Sequence, residues 1–307
     1  MNDDDTRLIP DSQLRYTTMK HLRQYVRKPQ RILLLAVLSL MLPPLCGSGL
    51  SCHAQSNDSV AWSRGKVITN TRLLGVGGVN VLDTYLSPEK YSGTELRYIS
   101  QTVRGSEHRK WRRLIVHQGM ASFSRNRADN ANEMAGSYDF CYGFLRRWTL
   151  FGDRLTVRAG GMADANIGFL YNTRNGNNPA QARLSFDISP VAMAAYKFTV
   201  AGKPFTLNYE VSVPLCGLMF SPNYGQSYYE IFSKGDYDHN AVPTTFIATP
   251  SLRHIFSLDF NIAKTTLRLG YMGDYRQAKV NNLKYHSYSH LFVIGMTRTF
   301  RLTRLQP

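Results

Sequence analysis

Two short clusters hold most of the residues whose types could do chemistry. Asp236-Tyr237-Asp238-His239 joins two carboxylates, a phenol and an imidazole, and His286-Ser287-Tyr288-Ser289-His290 sets two hydroxyls beside two imidazoles. Hydrolysis of an envelope lipid would need a nucleophile with a base at hydrogen-bond range, and Ser289 with His286 or His290 is the pair these clusters offer. Neighbouring residues of a strand point to opposite faces, which works against that pair. Ordinary polar, Tyr-rich loop composition accounts for both clusters, so no catalytic, metal or cofactor residue is assigned and the chain is expected not to be an enzyme. Gly75, Gly77 and Gly78 lack the spacing and the following helix of a dinucleotide loop, and are expected to bend or bulge a first strand.

The elements that would carry these clusters are long alternating strands. Phe205, Leu207, Tyr209, Val211, Val213 and Leu215 share one face, against Thr206, Asn208, Glu210 and Ser212 on the other. The same period of two places Leu252, Phe256, Leu258 and Phe260 opposite Arg253, Ser257 and Asp259. It recurs over 266–276 and 287–300, and with more noise over 138–144, 155–169 and 184–188. Before residue 130 the phasing is poor. The runs are roughly 14–16 residues long, whereas ordinary strands average about 5–6.

Tight turns at 151–154, 201–203 and 263–265 alternate with longer polar stretches near 172–181, 220–244 and 277–285. Trp148, Phe151, Phe198, Phe205, Phe260 and Phe300 gather at the tight-turn side. Phe169, Tyr171, Tyr224, Tyr275 and Tyr288 gather at the loop side, as interfacial girdles would. The pattern predicts an all-β, antiparallel, up-and-down transmembrane β-barrel over residues 66–302, with about ten strands (eight to twelve) and both ends on the periplasmic side. The polar face would then line a lumen and hold a charge network: Arg158, Asp164, Arg183, Asp187, Glu210, Arg253, Asp259, Arg268, Asp274 and Arg276. His254 and Arg298 fall on the apolar face. Arg298 lies two residues from Phe300 and would reach the headgroups, where an arginine costs about 0–1 kcal/mol against about 2–4 at the midplane. The alternation offers no account of His254. Cys141 and Cys216 would both point inward; the plain expectation is two unpaired, buried thiols, with a disulfide as the alternative in an oxidising compartment.

The 307-residue chain carries 37 Lys and Arg against 21 Asp and Glu, a formal charge of +16. No basic block, zinc-finger spacing or RNA-recognition signature accompanies this surplus, so nucleic acid is not an expected partner. Part of the charge belongs to a leader. Basic residues between Lys20 and Arg31 precede the eleven-residue apolar run Ile32–Leu42, then Pro43-Pro44 and small residues up to Ala54. These are the parts of a secretory signal, cut after Ala54 and following a start codon placed too early; the run is too short to span a bilayer as a helix. A looser alternative is lipidation of Cys52 in Gly49-Leu50-Ser51-Cys52. Residues 55–65 would form a short periplasmic segment, with Asp58-Ser59-Val60 matching an O-glycosylation acceptor, and 303–307 a tail.

The stretch Gly75-Val-Gly-Gly-Val-Asn-Val-Leu-Asp-Thr-Tyr-Leu-Ser-Pro88, followed by Tyr91-Ser-Gly93, resembles the opening of an uncharacterised family of Bacteroidetes outer-membrane barrel proteins. The terminal Ser289–Phe300 run is similar to the signal read by barrel-assembly machinery: Gly295 and Phe300 match it, and Arg298 replaces its middle aromatic. The resemblance covers most of residues 63–302 and implies a fold, a location in the outer membrane after Sec-type export, and contact with outer-membrane lipid and lipopolysaccharide. It implies no activity, ligand or oligomeric state. The leading expectation is a non-enzymatic structural or binding role. A narrow pore or small-solute transporter with a charged lumen, an envelope-lipid hydrolase, and a soluble periplasmic lipocalin-like binder remain as alternatives.

Overall fold

The computed structural model describes residues 66–106, 109–176, 178–262 and 265–302. The leader with its cleavage after Ala54, Cys52, Asp58-Ser59-Val60, the 55–65 segment and the 303–307 tail lie outside the described residues.

Among the described residues, twelve antiparallel strands follow one another: β1 (Lys66–Asp83), β2 (Tyr91–Ser106), β3 (Trp111–Asn126), β4 (Asn132–Leu150), β5 (Leu155–Asn172), β6 (Ala180–Val200), β7 (Lys203–Ser212), β8 (Cys216–Phe220), β9 (Ala241–Thr245), β10 (Leu252–Ile262), β11 (Thr265–Val280) and β12 (Leu283–Leu302). One short helix, α1 (Tyr228–Lys234), sits between β8 and β9. Ten strands close the wall in the order β1-β2-β3-β4-β5-β6-β7-β10-β11-β12, and β12 pairs back onto β1. The two extra strands continue the wall upward, because β8 pairs with the loop-side half of β6 and β9 pairs with β8. The ten-strand ring has no open edge, which is the condition for a wall surrounded by lipid, while β9 pairs on one side only, with β8. Among the described residues no helix is long and apolar enough to cross a membrane.

The alternation resolves into an apolar outside and a polar inside. Phe123, Phe144, Ile167, Phe169, Phe186, Phe256 and Phe292 are exposed on the outer face, while Glu95, Arg97, Asp139, Asp274 and Ser289 are buried within. A soluble lipocalin-like barrel would have the reverse arrangement, so the geometry goes against that alternative. At the tight-turn end Phe198 stacks on Phe205 with centroids 5.8 Å apart, and Phe205 lies 6.5 Å from Phe260, giving one arc of a girdle. At the loop end Tyr275 meets Tyr288 at 6.0 Å.

Four expectations change. The 277–285 stretch is not a long loop: β11 runs to Val280 and β12 starts at Leu283, joined at Asn281-Asn282 with φ of 50° and 60°. Two consecutive left-handed residues are what a type I′ hairpin turn requires, and Asn tolerates them. The glycines of β1 make no bulge, since β1 keeps one unbroken register with both neighbours. Gly77 instead permits close approach: a Cβ there would lie 2.0 Å from the His290 carbonyl oxygen. Cys216 is exposed while Cys141 is buried, and both are free thiols. His254 finds its account in an outward aromatic cluster, with ring centroids 5.7, 5.9 and 6.2 Å from Tyr271, Tyr275 and Tyr209. Its imidazole fills the space over Gly273, where a Cβ would come within 2.4 Å of Nε2.

The closing seam is tightest at Gly295, where an added Cβ would lie 1.8 Å from the Arg72 carbonyl oxygen. Gly295→Val is expected to cost about 1–3 kcal/mol by overpacking, read as a lower urea midpoint for the vesicle-inserted protein. Gly119→Val, at a site where a Cβ meets nothing within 4 Å, should leave that midpoint unchanged.

Candidate functional site

The inward residues of β11 run Arg268, Gly270, Met272, Asp274, Arg276, and this order sets the layers of the lumen. Nearest the tight turns, Arg268 grips Asp259 through two hydrogen bonds of 2.6 and 2.8 Å and lies 3.6 Å from Glu210, which also accepts from Gln101 at 2.7 Å. Above this, Met272 joins a buried apolar layer with Leu73, Ile99, Val116, Met162 and Leu291. These side chains come from strands all around the wall, so the layer crosses the lumen.

Above the apolar layer lies the main charge network. Arg276 of β11 meets Asp139 of β4 in a bidentate pair of 2.7 and 3.1 Å, and the two strands stand five positions apart in a ten-strand ring, hence across the diameter. Gln118 and Asn166 also donate to Asp139, at 2.8 and 2.6 Å. Asp274 is shared by Arg97, by Arg276 at 3.2 Å and by Arg253 at 3.9 Å. Arg253 reaches Asp164 at 3.1 Å and donates to the Cys141 sulfur at 3.8 Å. Arg97 also holds Glu95 at 2.6 Å, and Glu95 accepts from Ser289 Oγ. Buried charges need partners of this kind, because an ion stripped of water costs several kcal/mol unless it is matched.

Nearer the loops, Arg183 lies 3.5 Å from Asp83 and 3.3 Å above the Tyr285 ring. Between the apolar layer and a second one around Val79, Val81 and Leu170 is a chamber of about 110 Å³, with Arg183, Asp187, Arg253 and Arg276 in its lining. That is room for several waters at about 10–15 Å³ each. The long loop is tied down beside these residues. Tyr85 donates to the Gln226 carbonyl at 3.0 Å, Tyr228 Oη accepts from the Ala182 amide at 2.7 Å, and Asn281 donates to the carbonyls of Ser221 and His239.

Of the ten charged residues expected in the lumen, Asp164, Arg253, Asp274 and Arg276 meet in the main network, and Glu210, Asp259 and Arg268 meet below it. Arg183 pairs with Asp83, which the sequence reading did not single out. Asp187 lines the chamber and enters no ion pair among the described residues. Arg158 is likewise outside any described ion pair, and its Nε has no hydrogen-bond partner. Glu95, Arg97 and Asp139 were missed. Asp139 was legible, since it alternates with the outward Tyr138 and Phe140; Glu95 and Arg97 lie in the stretch of poor phasing. The hydrolase pair does not form with either imidazole: Ser289 is buried against Glu95, while His290 and His286 lie on the outer face, hydrogen-bonded to the Tyr271 hydroxyl and to the Asn80 side chain. His239 Nδ1 lies against the Asp238 carboxylate in the exposed loop. Among the described residues no three His, Cys, Asp or Glu side chains are grouped to hold a metal.

Two outcomes follow from this geometry. Arg97→Met leaves Glu95 and Asp274 short of a buried partner and should cost about 3–5 kcal/mol, measured by urea unfolding in lipid vesicles; an exposed pair such as Arg125–Asp129 should contribute about 0–1 kcal/mol when broken. The second concerns α1, where Ser227 and Glu230 form a capping box. Hydrogen bonds from the Ser227 amide and hydroxyl hold the Glu230 carboxyl below its ordinary value. A depressed folded pKa gives stability that is present above the unfolded value and lost as pH falls through the folded one. The protection of α1 amides, with the intrinsic pH dependence of exchange divided out, should therefore fall as pH drops through the carboxylate range.

Comparisons with known proteins give the following. No curated protein matches this sequence. The translocator domain of the autotransporter NalP from Neisseria meningitidis is similar in structure at a TM-score of 0.38, with 11% identity, covering 79% of this chain and 90% of that one. The transport unit of the autotransporter AIDA-I from Escherichia coli is similar at 0.41, with 7% identity and coverage of 88% and 92%. Ail, the attachment invasion locus protein of Yersinia pestis, is similar at 0.27, with 10% identity and coverage of 75% and 98%. Residues 32–307 match the family described as "Protein of unknown function (DUF3316)", and the chain belongs to that family.

Proposed function

We propose that this protein is a non-enzymatic, non-conducting outer-membrane barrel with a structural or binding role in the cell envelope. The observation that carries this reading is the filled lumen: an apolar layer and a diametric Arg276–Asp139 pair lie across it, inside a wall whose outer face is apolar. Ions crossing such a layer would have to shed water without replacement ligands, which opposes conduction. The separation of Ser289 from His290 supports a non-catalytic reading.

On this reading the chain reaches a Bacteroidetes-type outer membrane through a Sec-type signal, and the assembly machinery reads Gly295 and Phe300. Its outer wall contacts lipid and, at the loop end, lipopolysaccharide. The placement of Phe300 on the outer face and the aromatic girdles support this. A narrow pore is the second reading, favoured by the charges above and below the apolar layer.

The test is paired. Purified protein in vesicles should shift on a gel between unheated and boiled samples, as an intact membrane barrel does, and the same preparation in planar bilayers should give a silent trace. Stepwise conductance would replace the present reading with the pore. Absence of the shift would remove the membrane barrel itself.

A further inference from the structure

The belt at the tight-turn end changes character around the wall. On the outward faces of β6, β7 and β10 it consists of Phe198, Phe205 and Phe260 in a row. On the outward faces of β2, β3 and β4 the same end carries Arg104, Trp111, Arg113, Arg146 and Trp148, all of them exposed. Strand parity fixes their direction, since Ile99, Leu114 and Leu145, of the opposite parity, are buried in the apolar layer of the lumen. The three arginines are neighbours by register. Arg104 and Arg113 are direct cross-strand partners, and like charges in that position repel. Arg113 faces Phe144 while Trp111 faces Arg146, so Arg146 is the diagonal neighbour of Arg113, about 7–8 Å away.

Two of these guanidinium groups are laid along the wall by rings. That of Arg113 lies 5.9 Å from the centre of the Tyr142 ring, and that of Arg146 lies 5.5 Å from the centre of the Trp148 ring. No carboxylate answers their charge. Every Asp and Glu of the described strands lies on an inward face, and none of the three arginines enters an ion pair among the described residues. By sequence, the turns at 107–110 and 151–154 hold Glu107 and Asp153 against Arg109, Lys110 and Arg154, so they leave the surplus in place.

We propose that this arc of the wall binds an anionic phospholipid, with the phosphodiester between Arg104 and Arg113, Arg146 beside them, and the acyl chains over Ile115, Phe140 and Tyr142. A phosphodiester accepts hydrogen bonds from two guanidinium groups at once and removes their mutual repulsion. Net charge makes the selection: phosphatidylcholine brings a cation of its own to a place that already holds three, and phosphatidylglycerol brings none. Trp111 and Trp148 flank the arginines, as suits rings that are apolar in body and polar at the edge where headgroups begin.

The proposal rests on the membrane-barrel reading put forward above, and its test separates the two. The full chain with Trp62→Phe, which keeps Trp111 and Trp148, is folded into phosphatidylcholine vesicles and checked by the gel shift. Quenching of the tryptophan fluorescence is then compared between phosphatidylglycerol and phosphatidylcholine, each brominated near the glycerol end of its chains. The relative affinity is expected to favour phosphatidylglycerol by about fivefold or more. Arg104→Gln with Arg113→Gln should bring that ratio to about one, and Arg104→Lys with Arg113→Lys should keep most of it. Arg125→Gln, at the loop end, should leave it unchanged. Arg146→Gln alone should lower it about twofold, which supplies a second reading if the double variant loses the gel shift. A ratio of about one in protein that shows the shift overturns the proposal, as does a preference that survives loss of the arginines, which would be the attraction of any basic chain. Protein with all its arginines that lacks the shift would instead overturn the barrel reading on which the proposal depends.

Discussion

The pairing of β1 with β12 is the constraint on which everything else rests. Eighteen residues of each strand match in one register. Without that seam, two long edges would present unpaired amides and carbonyls to an apolar surrounding, at several kcal/mol for each group. The seam therefore decides the topology: once the last strand must return to the first, ten up-and-down strands with short turns at one end form a ring. It also explains why small residues sit there, since Gly77 and Gly295 allow the two backbones to approach where a Cβ would strike a carbonyl.

Closing the ring turns the polar faces inward, and the interior then sets its own condition. A ten-strand barrel is too narrow to keep bulk water around many charges, so most of them are matched to fixed partners, Asp187 and Arg158 being exceptions. Asp139 shows how far this goes: it takes two bonds from Arg276 across the diameter and one each from Gln118 and Asn166. Such a network acts as a set of struts. The apolar layer beneath it adds contacts between strands that never pair, and so resists the shearing that a hollow barrel would allow.

The later strands were legible because their two faces contrast. Thr206, Asn208 and Glu210 against Phe205, Leu207 and Tyr209 define both phase and lumen without a structure. β1–β3 were obscure for a definite reason. Their inward faces carry Leu73, Ile99, Leu114 and Val116, which join the apolar layer, while their outward faces carry Asn70, Arg72, Ser100 and Thr102. The contrast that marks a strand's phase is inverted over that stretch. Glu95 and Arg97 keep the ordinary contrast with Leu96 and Tyr98, but the inverted residues from Ile99 to Thr102 follow directly and blur their phase. Which charges meet was also beyond the sequence, because Arg276–Asp139 and Arg253–Asp164 depend on how the ring closes and not on local spacing.

The regularity of most of the wall gives the breaks in β7 and β10 their meaning. A strand interruption in a lipid-facing wall is costly, since each lost ladder bond must be replaced. Here the replacements are local and of mixed kind, with a serine hydroxyl at Gln277 and a carbonyl from a displaced turn at Lys279. Nothing in barrel closure requires them: β1 to β5 are uninterrupted over comparable lengths. The breaks fall beside the charged chamber, where Ser251, Leu252 and Gln277 line both it and an outer groove.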